Sequence, residues 1–421
     1  MRRLFELNDR KLSWHSDQGV VCSEPGAALV EDSGVVFGQD ALVRSRLQPR
    51  GFHNEHWQLL NGEALSISAP GVQNNADLVY QHTQIMLQKL TGGPSSAVCT
   101  TVTGLTSPEQ LGMLLGILQE AQMPLRSFAD SAVLYALDLP LPEQSFCFDV
   151  HSRRGVLTEL VRKDGTLSRG EVIAVPQLGL LPTIEGWLDL LVDHFVSRTR
   201  FDPLRVAATE QQLFDQVLDW LPGEAPFKPE VTHEGTQRGV DVSLEEMSAR
   251  AQQRYVTLVK QIPSRATIVL TPQAAELPGF EYYLSGHGFT VYTASTAALW
   301  SNASAHETLF TADPNAVQLI TALPVEEQTI GQRADNETTA EERLATHLLA
   351  DHQATPIPQQ GYGLQALELG YGWVNEHETE KVSAARVNDQ PVQPRVPLIV
   401  GDRLRIDGHE FTCIRVADGQ A

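Results

Sequence analysis

The stretch from Ser145 to Gly165 constrains the fold more than any other part of the chain. It contains an apolar run that ends at Asp149, a four-residue turn, and a second alternating run that ends at the turn Lys163-Asp164-Gly165. Two such runs around a short turn are typical of a β-hairpin. We expect the preceding residues to build one half of the molecule and the residues up to 322 to build the other, so the hairpin lies where the halves join.

The composition favours a protein of ordinary globular type. The chain has 421 residues, 42% of them hydrophobic and 20% charged, which is enough for two or three domains with their own cores. Its net charge of −21 argues against nucleic acid or an anionic membrane as a partner, because both would be repelled. The start of the chain does not have the pattern of a signal peptide, and apolar runs are shorter than a membrane span requires. We therefore expect a cytoplasmic protein without direct membrane insertion.

The cysteines give no sign of a metal or disulfide framework. Cys22, Cys99, Cys147 and Cys413 are scattered, without a C-x-x-C pair or histidines at zinc-finger spacing. Three of them lie in apolar runs and are expected to be buried as small hydrophobic residues.

The hairpin resembles the second phosphate-binding signature of the actin-like ATPases, the superfamily of actin, MreB, PilM and the DnaK-type chaperones, which reads roughly F-D-L-G-G-G-T-x-D-V. Asp149 matches its aspartate, but His151, Ser152 and Arg153 stand where the family has glycines, and Arg154 replaces the threonine. The resemblance implies an α/β fold with a two-lobed body made of two ribonuclease H-like halves. It also implies that the frame of the signature is kept while its phosphate cradle is lost.

The residues at the position of the first phosphate-binding signature depart from the family pattern in the same way. The family has D-x-G-T/S there, whose small residues let backbone N–H groups approach the phosphates. In this chain Glu6 is one carbon longer than the family's aspartate, Asn8 replaces the glycine, and Asp9 would point a negative charge at a triphosphate. Lys11 could still contact a phosphate.

The adenosine signature of the family, L-x-G-G-x-S-x-h-P-G-h, is retained only at its end. Leu277-Pro278-Gly279-Phe280 is kept, whereas Thr271-Pro272 replaces the paired glycines, and proline fixes φ and removes a donor. A nucleotide, if bound, would be held by a weak set of candidates. These are Lys11, Asp149, His151, Arg153, Arg154, Thr271 and Gln273. His194 ends an amphipathic helix and is interpreted as a packing or capping residue.

We predict four segments along the chain. Residues 1–148 form lobe I and residues 149–322 form lobe II. Residues 323–360 are an acidic linker with a short helix at Glu337–Asp351, and residues 361–421 are a small β-rich domain with a hairpin around Asp407-Gly408.

Three functions are compatible with these patterns. The first is a DnaK- or actin-like pseudo-ATPase with lost or weak nucleotide hydrolysis. It needs no cofactor and serves as an assembly subunit, adaptor or scaffold through a protein partner or self-assembly. The second is a working ATPase in which Glu6 and Asp149 are catalytic, Asp149 holds Mg²⁺, and Lys11 or the arginines replace the lost N–H donors to ATP. The third is a sugar or acid kinase on the same fold.

Overall fold

In the computed structural model, the chain forms two compact units, Met1–Glu327 and Gln328–Ala421. The structure describes residues 3–90, 98–221, 226–310 and 316–325 of the first unit, and eight strands between residues 347 and 414 of the second.

The first half of unit 1 contains ten strands and five helices within its described residues. The strands are β1 (Arg3–Glu6), β2 (Leu12–Ser16), β3 (Gly19–Glu24), β4 (Ala28–Glu31), β5 (Gly34–Phe37), β6 (Phe52–His53), β7 (Ala64–Ala69), β8 (Val72–Asn74), β9 (Val98–Val102) and β10 (Leu125–Asp130). The helices are α1 (Gln39–Leu42), α2 (His56–Leu59), α3 (Asn75–Gln88), α4 (Pro108–Glu120) and α5 (Ser131–Ala136).

The second half follows without a break. Its strands are β11 (Gln144–Val150), β12 (Arg154–Lys163), β13 (Thr166–Pro176), β14 (Glu230–His233), β15 (Thr236–Gly239), β16 (Thr267–Leu270), β17 (Thr290–Thr293), β18 (Gln318–Ile320) and β19 (Ala322–Pro324). Its helices are α6 (Leu180–Thr199), α7 (Ala207–Trp220), α8 (Leu244–Val259), α9 (Pro272–Ala275), α10 (Phe280–Gly286), α11 (Ala298–Ala305) and α12 (Glu307–Phe310), with a 3₁₀ turn at Pro203–Arg205.

Five of the six strands in each of two sheets follow the same order. The first sheet runs β18-β10-β9-β1-β2-β3, and the second runs β17-β16-β11-β12-β13-β19. In each sheet the central strand, β1 or β11, pairs antiparallel with the next strand of a meander and parallel with a later strand on its other side. The five-stranded pattern is therefore present twice, and only the positions of β18 and β19 differ.

The predicted α/β class is confirmed, and several local predictions hold with it. The hairpin of Ser145–Gly165 is formed by β11 and β12, from Gln144 opposite Val161 to Val150 opposite Gly155. The predicted boundary after residue 148 lies inside β11, which continues to Val150. Pro108 directly after Ser107, and Glu246 three residues after Ser243, predict from the sequence that these serines begin helices, and both cap α4 and α8 with reciprocal side-chain bonds.

A short segment joins the two sheets. β18 pairs parallel with β10 of the first sheet, and β19, one residue later, pairs antiparallel with β13 of the second. Between them, the Thr321 carbonyl accepts a hydrogen bond from the Arg169 N–H. Arg169 also pairs with Asp130, the buried cap of α5, at 3.1 Å. We call residues 318–324 the strap, because they belong to both sheets.

The sheets also share a hydrophobic core. The small helix α5 is fully buried and packs against α11, with residues of both sheets around it, among them Leu4, Cys147 and Leu323. Separate clusters lie on the outer faces of the sheets, one built on Phe5, Trp14 and α4 and the other on α6, α7 and α8. The small residues Ala132 and Ala136 let α5 fit between the sheets.

Unit 2 contains the strands β20 (His347–Ala350), β21 (Gln353–Pro356), β22 (Leu369–Gly370), β23 (Trp373–Val374), β24 (Arg386–Val387), β25 (Gln390–Pro391), β26 (Arg403–Ile406) and β27 (His409–Ile414). The predicted hairpin around residues 407 and 408 is formed by β26 and β27. β20 pairs with β27 and with β21, so residues 347–350 and 353–356, which we predicted to be linker, belong to this sheet. Residues 347–350 are strand where we predicted a helix over Glu337–Asp351, whose other residues lie outside the described ones.

Among the described residues, none of the helices has both the length and the apolar character needed to cross a membrane.

Candidate functional site

The turns that follow β1 and β11 meet, and their side chains interlock. The first turn contains Asn8, Asp9 and Arg10, and the second contains His151 and Ser152. Residues 271–273, at the start of α9, complete this region, which we call the crevice. Equivalent positions of the two sheets therefore face each other, because each turn ends the central strand of its own sheet.

Asp149 is buried and accepts hydrogen bonds with both of its oxygens. Its Oδ1 accepts from the Thr271 hydroxyl at 2.6 Å and from the Val150 N–H at 2.9 Å. The Asn8 amide donates to Oδ1 at 3.2 Å and to Oδ2 at 3.1 Å, and also to the Val150 carbonyl. Imidazole Nε2 of His151 lies 3.3 Å from Oδ2. Groups of the chain itself thus surround the carboxylate.

Asp9 forms the second anionic centre of the crevice. Its Oδ1 accepts from the Ser152 N–H at 2.9 Å and lies 3.0 Å from His151 Nδ1, while its carbonyl accepts from the Ser152 hydroxyl at 2.9 Å. Burial lowers the pKa of His151, but hydrogen bonds and charge attraction from Asp149 and Asp9 outweigh it and raise this pKa to about 10. His151 is therefore an imidazolium between two carboxylates.

The charge of His151 acts back on Asp9. Burial raises the pKa of Asp9. The hydrogen bond and the charge of His151 lower this pKa by more than burial raises it, so the net shift is downward. The pair is ionised over the neutral pH range.

Glu6 is also enclosed by neighbouring side chains. Its Oε1 accepts from the Tyr135 hydroxyl at 2.6 Å and from the Gln273 amide at 3.0 Å, and Oε2 lies 3.0 Å from His15 Nε2. Burial and the nearby Glu6 carboxylate raise the pKa of Tyr135 well above its usual value, so its hydroxyl remains a donor. Gln273 thus bonds to Glu6, as Thr271 does to Asp149.

Arg10 is a crevice residue that the sequence patterns do not single out. Its guanidinium donates to the Gln273 carbonyl and forms an ion pair with Glu276, with only 7% of the side chain exposed. A lone arginine in a turn is usually solvated, so only the three-dimensional structure identifies this one.

The remaining candidates lie at the margin of the crevice. Lys11 is exposed at the surface. Arg153 is about half exposed and donates to Asn54 at 3.1 Å, with Glu55 nearby. His194, interpreted above as a packing or capping residue, pairs with Glu246 at 3.2 Å. The structure therefore brings together Glu6, Asp149, His151, Thr271 and Gln273 and leaves Lys11 and Arg153 outside.

Two glycines allow the turns of the crevice to be packed tightly. A Cβ added to Gly26 would lie 2.5 Å from the Asp9 carbonyl oxygen, which accepts a hydrogen bond from the Gly26 N–H. A Cβ on Gly179 would overlap the backbone of Arg153 and Arg154. Each glycine follows the third strand of its sheet, so the same contact occurs in both halves.

A cavity of about 50 Å³ borders the crevice. The lining of this cavity includes the polar residues Asp9, His151 and Arg154 and the apolar residues Trp57, Leu60 and Leu114. Within the described residues, Asp9 Oδ2 and Arg154 Nε, both buried, have no hydrogen-bond partner. Small-molecule sites usually have volumes of about 300–1,000 Å³, so this cavity suits water and is too small for a triphosphate.

The crevice residues do not fit Mg²⁺ with a nucleotide. A magnesium ion prefers oxygen ligands in open octahedral geometry, whereas both oxygens of Asp149 already accept protein donors. In the part of the chain that the structure describes, no group of three or more histidine, cysteine or acidic side chains is arranged to hold a metal ion. His151 supplies the positive charge that a metal ion would bring.

Neither a protein-family model nor a curated protein sequence matches this chain.

Proposed function

We propose that the chain is an actin-like pseudo-ATPase that works as a binding protein, an assembly subunit, adaptor or scaffold, without hydrolysing ATP. One observation carries the proposal. Side chains from the two central turns bond to one another across the crevice, from Asn8 to Asp149 and from Asp9 to His151. Backbone N–H groups can hold phosphates only where side chains leave room, and here the room is filled.

The repeated strand order supports the family part of this proposal. Each half has the same five-stranded pattern with its first hairpin at the crevice, which is the arrangement that the sequence resemblance implies. The high negative charge disfavours nucleic acid and favours a protein partner with a basic surface. A cytoplasmic location remains a prediction from the sequence.

Nucleotide binding is the sharpest test. We expect the melting temperature of the full chain to be the same with and without millimolar ATP and Mg²⁺, and no phosphate release above background. The control is the Asp149→Ala variant, whose melting temperature is measured under both conditions. A working ATPase would show stabilisation by ATP that disappears in this variant, and that result would overturn the proposal.

The binding role itself is tested by capture from native lysate. Two baits, the full chain and a chain that ends at residue 327, separate recognition by unit 1 from recognition by unit 2. A specific partner retained by either bait supports the proposal, as does self-association of the purified chain in light scattering. A chain that remains monomeric and captures nothing specific contradicts it.

A further inference from the structure

A larger opening, of about 460 Å³, lies beside the crevice in unit 1. We call it the groove. One wall is the segment from Ser45 to Leu59, and the other is formed by residues of α6, α7 and α8. Its volume is in the usual range of small-molecule sites, about 300–1,000 Å³.

Unsatisfied polar atoms are concentrated on the first wall. Among the described residues, Ser45 Oγ, Arg46 Nε, His53 Nε2 and His56 Nδ1 are buried without a hydrogen-bond partner, and all four residues line the groove. Burying such atoms without partners is costly, so they mark where a ligand or ordered water is needed.

His56 shows why a partner is needed at this wall. Burial lowers the pKa of His56 well below its usual value, so its ring is neutral and has one donor and one acceptor nitrogen. Its Nε2 lies 3.5 Å from His82 Nδ1, which already accepts a hydrogen bond from the Trp57 indole N–H at 3.2 Å. Its Nδ1 has no partner among the described residues and needs one in either tautomer.

The charges that line the groove cancel. Three arginines and three glutamates contribute: Arg46, Arg153, Arg254, Glu55, Glu185 and Glu210. Arg46 forms ion pairs with Glu185 and Glu210 and lies over the Phe214 ring, 4.5 Å from its centre. Such a lining favours neither a phosphate nor a cation.

We propose that the groove binds a neutral polyhydroxylated molecule, that is, a carbohydrate. Each sugar hydroxyl both donates and accepts, so one ligand can pair with His56 Nδ1 in either direction and accept from Arg46 Nε and the Ser45 hydroxyl. Phe52 and Pro182, both partly exposed, offer apolar surface to the C–H faces of a sugar ring. This activity goes beyond the proposed function and does not involve the crevice.

The test uses the full chain and a panel of neutral sugars: glucose, N-acetylglucosamine and maltose. Glucose 6-phosphate and inorganic phosphate serve as charged probes. We expect saturation-transfer NMR and calorimetry to show saturable binding of at least one neutral sugar and weaker or no binding of the charged probes. The absence of neutral-sugar binding, or preference for a charged probe, overturns the proposal.

Variants then place the binding in the groove. Ser45→Ala and His53→Ala each remove one polar group, and we expect each to raise the Kd about 2- to 10-fold. Ser145→Ala is the matched control, because its buried hydroxyl also has no partner among the described residues but lies outside the groove. Unchanged affinity in both groove variants assigns the binding elsewhere and refutes the site. Neither result depends on ATP, so this test is separate from that of the proposed function.

Discussion

His151 stands in the middle of the crevice, where its imidazolium bridges Asp9 and Asp149 at 3.0 and 3.3 Å. The signature that this hairpin resembles has a glycine at this place, whereas the histidine here both fills the space and supplies a positive charge. That charge compensates for two buried carboxylates, which would otherwise be costly.

Removal of this imidazolium is expected to destabilise the fold strongly. In His151→Leu both carboxylates lose their buried cation, and we expect the free energy of unfolding to fall by about 3–5 kcal/mol. Urea denaturation measures it. His194→Leu is the control, because the Glu246 carboxylate that it pairs with is 46% exposed and the pair should contribute less than about 1 kcal/mol. Equal losses in the two variants would contradict this account.

The same residue gives a pH dependence with a definite sign. The pKa of His151 is raised by its carboxylate partners to about 10, from 6.5 in the unfolded chain. Its stabilising contribution is therefore complete below pH 6.5 and is lost as the pH rises to 10. We expect the stability gap between the wild type and His151→Leu to shrink over this range, measured by urea denaturation at several pH values. A gap that widens towards pH 10 would be inconsistent with a bridging imidazolium.

Glycines beside the two turns provide a second prediction for single residues. Gly26→Ala and Gly179→Ala each place a methyl group too close to backbone atoms of the neighbouring turn. We expect each to reduce the free energy of unfolding by about 1–3 kcal/mol. Gly112→Ala is the matched control, because Gly112 is exposed in α4 with open space around its Cβ position and should gain about 0.5–1 kcal/mol. Thermal melts of the three variants measure these changes in stability. A neutral Gly179→Ala would show that the turn is not held tightly.

At the scale of elements, the strap is the connection that local sequence patterns reveal least. Its two strands have only three residues each, yet they extend the first sheet at β10 and the second at β13. The side chain of Leu323 is 1% exposed within the core shared by both sheets, whereas Leu319 is 39% exposed.

These two leucines form a matched pair of substitutions. Leu323→Ala should reduce the free energy of unfolding by about 2–5 kcal/mol because it leaves a cavity in the shared core. Leu319→Ala in the neighbouring strand should cost less than about 1 kcal/mol, since its side chain already contacts solvent. Chemical denaturation compares them. Equal, small effects would mean that the strap contributes little to the shared core.

At the scale of the whole molecule, what was predictable from sequence was local. The hairpin at Ser145–Gly165, the helix caps at Ser107 and Ser243 and the α/β class follow from turn residues and hydrophobic periodicity, and the structure contains them. The strand at residues 347–350 was harder to predict, because polar sequence borders it and its partner β27 lies more than fifty residues later in the chain.

The site was predictable only in part, for the same reason. The match of Asp149 to the aspartate of the signature, and the mismatches of His151 and Thr271 to the family's glycines, identified these residues but not what they bond to. Arg10 and the wall of the groove depend on contacts between residues far apart in sequence, such as Arg10 with Glu276 and Arg46 with Glu210. Local periodicity carries no information on such pairs.

The strap also means that unit 1 is completed late along its chain. Residues 318–324 add one strand to each sheet, so one edge strand of each sheet comes from the last described residues of this unit. A chain cut before residue 318 would therefore lose hydrogen bonds from both halves at once, among them the bond from the Arg169 N–H to the Thr321 carbonyl.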